Sequence, residues 1–171
     1  SIIDNFFYIS IDQDSQEIMA PILNQYEGKI KYSSLKLERS FDFGKWTLHN
    51  SIIYQMINQN EDILNLPQFM SRNTLFFSER IFRNTLAIQT GLNFKIFSKY
   101  YANEYNPLIS DFHIQNQKKI GSFPLFDFFF NAKIRQTKIF IIAEHINSSF
   151  TGNNFYSTPE SVYRDFGVRF G

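Results

Sequence analysis

The sequence has no cysteine, which excludes disulfides, thiolate metal sites and a cysteine nucleophile together. It also lacks the apolar run of ~18 residues that a membrane-crossing helix needs. Its longest apolar stretches, Ile139 to Ala143 and Phe123 to Phe130 with Asp127 interrupting, are far shorter. Neither sign of charge dominates: 17 basic residues face 16 acidic ones, for a formal net charge of +1. That balance is neither the footprint of a nucleic-acid binder nor a polybasic membrane patch. No linker, solenoid period or low-complexity tract interrupts the chain. The first residue is Ser1, and no basic stretch leading into an apolar core follows it; a longer precursor is expected to supply such a signal.

Catalytic patterns are missing as well. His49, His113 and His145 have no metal-ligand spacing. Asp111 and His113 are near neighbours but lack a nucleophile elbow or Gly-rich turn. No Ser/His/Asp or paired-carboxylate constellation stands out. The expectation is a protein that is not an enzyme, with no catalytic residue, no metal and no cofactor. The sequon Asn147-Ser148-Ser149 reads as coincidence.

What the chain does have is phenylalanine: 21 of 171 residues, within an aromatic content of 18%. Charged residues make up 19%, below the usual level of about 25%. One soluble core of this size would struggle to hide so much Phe, whereas a protein bathed in lipid has no need to.

The dominant period is two. In 125–137, Phe126, Phe128, Phe130, Ala132 and Ile134 share one parity, and Leu125, Asp127, Phe129, Asn131, Lys133 and Arg135 the other. In 86–98, Leu86, Ile88, Thr90, Leu92, Phe94 and Ile96 alternate with Ala87, Gln89, Gly91, Asn93 and Lys95. Such segments are strands with a different solvent on each face. In 46–56, Asn50 and Ile53 break the rule; in 71–81, Phe76 and Glu79 do. Placing Glu144 inward leaves Ile139, Ile141, Ala143 and His145 outward. Near the end, Phe166, Val168 and Phe170 alternate with Asp165, Gly167 and Arg169.

About eight strands follow, at 2–9, 29–40, 46–57, 71–81, 85–98, 124–135, 138–147 and 162–171, with a further short strand near Leu108–Gln115. Many reach the roughly ten residues that a tilted strand needs to cross a bilayer. Connections alternate between short (42–44, 82–84, 135–137) and long (11–27, 59–70, 99–123, 148–161). Pro21, Pro67, Pro107, Pro124 and Pro159 all fall in the long connections or at their edges, where no ladder donor is lost. The expected fold is all-β: an antiparallel transmembrane β-barrel of the up-and-down kind, forming one domain over 1–171.

Lumen-lining residues are then expected at Arg72, Arg80, Lys95, Asp127, Asn131, Lys133, Arg135 and Glu144, with Lys36, Glu38, Asp165 and Arg169 of the same parity. Lipid-facing residues are expected at Leu86, Ile88, Leu92, Phe94, Phe126, Phe128, Phe130, Ile134, Phe166, Val168 and Phe170. The lumen set mixes both signs, so no strong ion selectivity is expected. Tyr100, Tyr101, Tyr105, Phe123, Phe150, Phe155, Tyr156 and Tyr163 gather at strand ends, as an interfacial aromatic girdle would. Tyr105 and Tyr156 have a second reading, stacking on a sugar or peptide.

The segments LPQFMSRNTLFFSE (66–79), QTGLNFKIFSKYYANEYNP (89–107), GSFPLFDFFFNAKIRQTKIFIIAEHINSSFTG (121–152) and NFYSTPESVYRDFGVRFG (154–171) resemble the C-terminal half of the β-barrel porins of Bacteroidota, from about Tyr26 onward. The resemblance implies an exported barrel in the outer membrane of a Gram-negative cell. Its partners would be outer-membrane lipids, the barrel-assembly machinery during biogenesis and small polar solutes. It implies no nucleic acid and no cofactor. Family members continue beyond the VRFG segment to an aromatic terminus, so the chain is expected to be a C-terminal fragment. Its strands would be an arc of a larger barrel in preference to a closed ring of eight. The expected function is a porin-like channel for passive diffusion of small polar solutes. The alternatives are a non-conducting structural or ligand-binding barrel, alone or within an envelope complex, a barrel enzyme, and a soluble secreted all-β protein. The exposed face of Phe126, Phe128 and Phe130 argues against the last of these, because such a band would aggregate in water.

Overall fold

Side-chain alternation becomes strand along most of its length. The computed structural model describes residues 1–11, 21–83, 85–151 and 155–171, and these contain strands and no helix. In chain order the strands are β1 (Ile2–Ile3), β2 (Phe6–Ile11), β3 (Pro21–Tyr26), β4 (Ile30–Phe43), β5 (Trp46–Asn58), β6 (Phe69–Ile81), β7 (Leu86–Phe97) and β8 (Tyr100–Tyr101). They continue with β9 (Glu104–Asn106), β10 (Asp111–His113), β11 (Lys119–Ile120), β12 (Leu125–Ile134), β13 (Thr137–Glu144), β14 (Tyr156–Thr158), β15 (Ser161–Val162) and β16 (Gly167–Phe170).

Eight of them form one antiparallel sheet in the order β1-β4-β5-β6-β7-β12-β13-β16. Spatial order follows chain order, so the sheet is an up-and-down meander with β1 and β16 as its edges. The expected all-β, antiparallel, eight-strand architecture is the one found. β4 to β7 have 14, 13, 13 and 12 residues, about twice the usual strand length of 5–6.

Short and long connections alternate as the sequence predicts. A tight turn joins Phe43 to its partner Trp46 through Gly44 and Lys45. Gly44 has φ +69°, a left-handed conformation that glycine adopts without cost. A second tight turn, Arg135–Gln136, joins Ile134 to Thr137, and Arg135 itself is left-handed at φ 53°. The long connections carry hairpins of their own: β2–β3, β8–β11, β9–β10 and β14–β15. The short strand expected near Leu108–Gln115 is β10, paired with β9.

Most strand bounds fall within two residues of expectation, but β4 runs past the expected 40 to Phe43, into the turn expected at 42–44, and three other elements differ more. The strand expected at 2–9 divides at Asn5, whose φ of 56° is left-handed; Asn tolerates that region better than most residues. Ile2 and Ile3 pair with Lys31 and Ile30, while Phe6–Ile11 turns away to pair with Pro21–Tyr26. A strand thus lies within the expected connection 11–27, with Pro21 as its first residue, where a missing N–H costs least. The strand expected at 138–147 ends at Glu144, because His145 turns left-handed (φ 53°) and buries its ring. The final strand shrinks from 162–171 to Gly167–Phe170. Its leading residues are engaged elsewhere: the Tyr163 N–H donates to Phe155 (2.8 Å), and the Arg164 carbonyl accepts from His145 Nδ1 (2.7 Å). Residues 12–20, 84 and 152–154 of the expected connections lie outside the described residues.

The buried apolar residues lie at the long-connection end. One cluster is Tyr26, Ile30 and Ile63, packed by Ile3, Phe6, Tyr8, Ile57, Leu64 and Ile114. The other is Phe123, Leu125 and Phe155, packed by Phe97 and Tyr163. The Ile114 N–H donates to Ile9 (2.8 Å), tying one connection to another.

Candidate functional site: the polar face of the sheet

Residues directly opposite across antiparallel strands point to the same face, so the register sorts the side chains into rows. On one face a row runs Phe41, Leu48, Leu75, Leu92, Phe128, Ala143, Val168, with no polar member across seven strands. The next runs Phe43, Trp46, Phe77, Thr90, Phe130, Ile141, Phe170. Trp46 meets Phe77 edge-on at 5.4 Å, and Phe94 lies 4.9 Å from Phe126. Many of these side chains are exposed, Leu35, Leu37, Phe43, Trp46 and Val168 among them. Polar intrusions are few: Arg39, Asn50 and Asn73 stand in one row, and Glu79 pairs with Lys45.

The opposite face is polar. From the long-connection end, one row runs Glu38, Ser51, Arg72, Lys95, Leu125, and the next Ser40, His49, Thr74, Asn93, Asp127. Nearer the tight turns come Ser78, Gln89, Asn131, Phe140 and then Arg80, Ala87, Lys133, Lys138. Cross-strand hydrogen bonds knit the rows: Thr74 Oγ1 donates to Asn93 Oδ1 (2.7 Å), Thr47 Oγ1 to Asp42 Oδ1 (2.7 Å), and Ser40 Oγ bonds His49 Nδ1 (2.8 Å). Lys36 pairs with Glu38 at 2.8 Å. An open concavity of about 710 Å³ lies over this part of the sheet, walled by Lys36, Glu38, His49, Arg72, Thr74 and Lys95.

A tighter constellation closes the polar face at the long-connection end. Asp127 Oδ2 accepts from Lys95 Nζ (2.6 Å), and its Oδ1 accepts the His145 N–H (3.0 Å). The His145 ring is 1% exposed and meets Phe155 and Tyr163 edge-on, at 4.4 and 5.5 Å. Glu144 holds both Arg164 and Arg169. The outward position that strand parity assigns to His145 is therefore not the one it takes: the residue is a hydrogen-bonded internal strut between β12 and the connection after β13. Nearby, among the loop tyrosines, burial pushes the Tyr100 hydroxyl pKa above its ordinary value.

Asp127 is the keystone of that constellation. Asp127→Ala strands the partly buried Lys95 ammonium and the His145 N–H without an acceptor, at an expected cost of roughly 2–3 kcal/mol. Asp127→Asn keeps an acceptor for the N–H and should lose about half of that. Equilibrium unfolding of the two variants in detergent checks the order; equal losses would mean that the His145 hydrogen bond contributes nothing.

Of the residues expected to act together, Arg72, Arg80, Lys95, Asp127, Asn131, Lys133 and Glu144 share the polar face of neighbouring strands. Arg135 stands apart, in the tight turn. Leu86, Ile88, Leu92, Phe94, Phe126, Phe128, Phe130, Ile134, Val168 and Phe170 share the apolar face. Phe166 precedes β16 and lies outside the sheet, as does Asp165. Among the described residues, no group of three or more His, Cys, Asp or Glu side chains could hold a metal ion.

A family model described as "Putative porin" matches residues 1–171. The chain belongs to that family. No curated protein and no solved structure matches it. Membership assigns this porin-family chain a porin-like role and an outer-membrane location in general terms. Two residues beside the porin's charged groups were not among those expected there. The parity of Glu144 could have found Lys138, although its neighbours depend on register. Arg164 lies in coil and reaches Glu144 only through the packing of the last connection.

Proposed function

We propose that the chain forms wall of an outer-membrane channel in a Gram-negative cell, passing small polar solutes by passive diffusion. One observation carries this reading: an apolar row unbroken over seven strands stands back to back with rows of charged and amide side chains. A sheet with one face in lipid and the other in water needs that division. A soluble sheet would cover its apolar face with a second layer, and no such layer packs on it among the described residues. The members of the expected lipid-facing set that lie on the sheet then meet hydrocarbon, and those of the expected lumen set on its polar face line the aqueous path; Phe166 and Arg135 belong to neither wall. Their role is electrostatic and steric, and no chemical step is involved. The tight turns face the periplasm and the long connections the exterior.

The purified protein, reconstituted into planar bilayers, should show discrete conductance steps. A folded protein that leaves the bilayer electrically silent would instead favour a non-conducting structural or ligand-binding barrel. The apolar clusters formed by the long connections are what such a plugged barrel would use.

A further inference from the structure

Charge on the polar face is unevenly compensated along its length. On the strands of this face the cations are Lys36, Arg72, Arg80, Lys95, Lys133, Lys138 and Arg169, and the acids are Glu38, Asp42, Asp127 and Glu144. Three of the four acids are already ion-paired toward the long-connection end: Glu38 with Lys36, Asp127 with Lys95, and Glu144 with Arg169 and Arg164. At the tight-turn end, among the described residues, no carboxylate lies within ion-pair distance of Arg80, Lys133 or Lys138. Glu79 is on the same strand as Arg80, but it faces the other way and is held by Lys45.

The three cations occupy one row. Lys133 and Lys138 are directly opposite in register, one residue in from the turn, and Arg80 lies two strands away across Ala87. Like charges directly opposite in a sheet repel and destabilise it. Here the tight turn fixes the pairing, so the two ammonium groups cannot slip apart by register. Ala87, the smallest side chain in the row, leaves the space between the guanidinium and the ammonium groups unfilled. A concavity of about 470 Å³ opens there, within the range of small-molecule sites, and the side chains of Ser78, Gln89 and Asn131 add hydroxyl and amide donors.

We infer that this row, Arg80–Ala87–Lys133–Lys138, is a binding site for compact multivalent oxyanions, phosphates or polycarboxylates. Such an anion would accept charge-assisted hydrogen bonds from three cations at once and relieve the repulsion between Lys133 and Lys138. Its solute class deepens the channel reading and rests on it for the transport role: the periplasmic mouth would concentrate anions, against the lack of selectivity that the mixed charges suggest. Binding itself can be measured without conductance.

The test uses the purified protein and its Lys133→Gln/Lys138→Gln variant, both checked for β-structure by circular dichroism. Calorimetric titration with pyrophosphate and with citrate separates the two anion sources, and acetate serves as the monovalent control. Pyrophosphate or citrate should bind more tightly than acetate, and the variant should weaken that binding by about ten-fold. The reversal potential in a salt gradient should lie toward chloride and move toward neutrality in the variant. Titrations that are silent, or the same for both proteins, overturn the site whatever the conductance. Anion binding lost in the variant of an electrically silent protein upholds the site and overturns the channel.

Discussion

Replacing Gly91 with alanine is expected to cost about 3 kcal/mol of folding free energy, the upper end of what overpacking usually does. A Cβ at that position would meet the Leu75 carbonyl oxygen at 2.3 Å and the Cβ and Cα of Phe76 at 2.7 and 2.8 Å. The nearest obstacle is backbone of the paired strand, which cannot rotate away as a side chain would. β6 and β7 would have to separate, at the expense of ladder hydrogen bonds. The row Phe76–Gly91–Phe129 shows what the glycine allows, since two phenylalanines flank it on the polar face. Truncating Phe76 should not help: Phe76→Ala/Gly91→Ala should stay as unstable as Gly91→Ala in denaturant titrations. Recovery in the double variant would show that the crowding is between side chains and that the strand backbones are free to adjust.

The second large effect belongs to the apolar face. Leu92 sits in the middle of the unbroken row, on the fourth of its seven strands. Leu92→Arg should destabilise the protein in a bilayer by roughly 2–4 kcal/mol, the cost of an arginine near the midplane of a barrel wall. The same charge at Thr47 points to the other face, beside Asp42, to which Thr47 already donates a hydrogen bond (2.7 Å). Thr47→Arg should therefore stay within about 1 kcal/mol of the parent. Unfolding measured in lipid vesicles compares the two. Equal costs would mean that the two faces do not meet different solvents, and the assignment of lipid to one side would fall with them.

The faces were legible in the sequence because alternation is a local property. From Leu86 to Ile96, and from Phe126 to Ile134, each residue's parity names its side, and the structure keeps those sides. Rows were not legible, because a row is made by register. The two-residue turn at Arg135–Gln136 sets Lys133 against Lys138; a three-residue connection, as the sequence suggested at 135–137, would have set other residues opposite each other. The hairpin β2–β3 was missed for a related reason. Phe6 and Tyr8 alternate like wall strand, but they pack against Tyr26 of their own hairpin, Ile30 at the start of β4 and Ile63 of a later connection. The shortening of the last strand has the same origin: Tyr163 and Arg164 are held by Phe155 and His145 before they can join the sheet.

The two buried apolar clusters lie at the long-connection end, where the first residues of β4 and β12, Ile30 and Leu125, meet the connections. On the channel reading, the two ends of this architecture therefore answer to different solvents. Tyr26, Ile30, Ile63, Phe123 and Phe155 hide from water and draw on the ordinary hydrophobic effect. On the channel reading proposed above, the apolar face of the sheet gains nothing of that kind, because lipid tails are as apolar as its own leucines; its cohesion would come from the hydrogen-bond ladder and from side chains in van der Waals contact. Temperature and urea act on the first contribution, and acyl-chain length and detergent choice on the second. A single melting temperature would blend two processes with different physical origins.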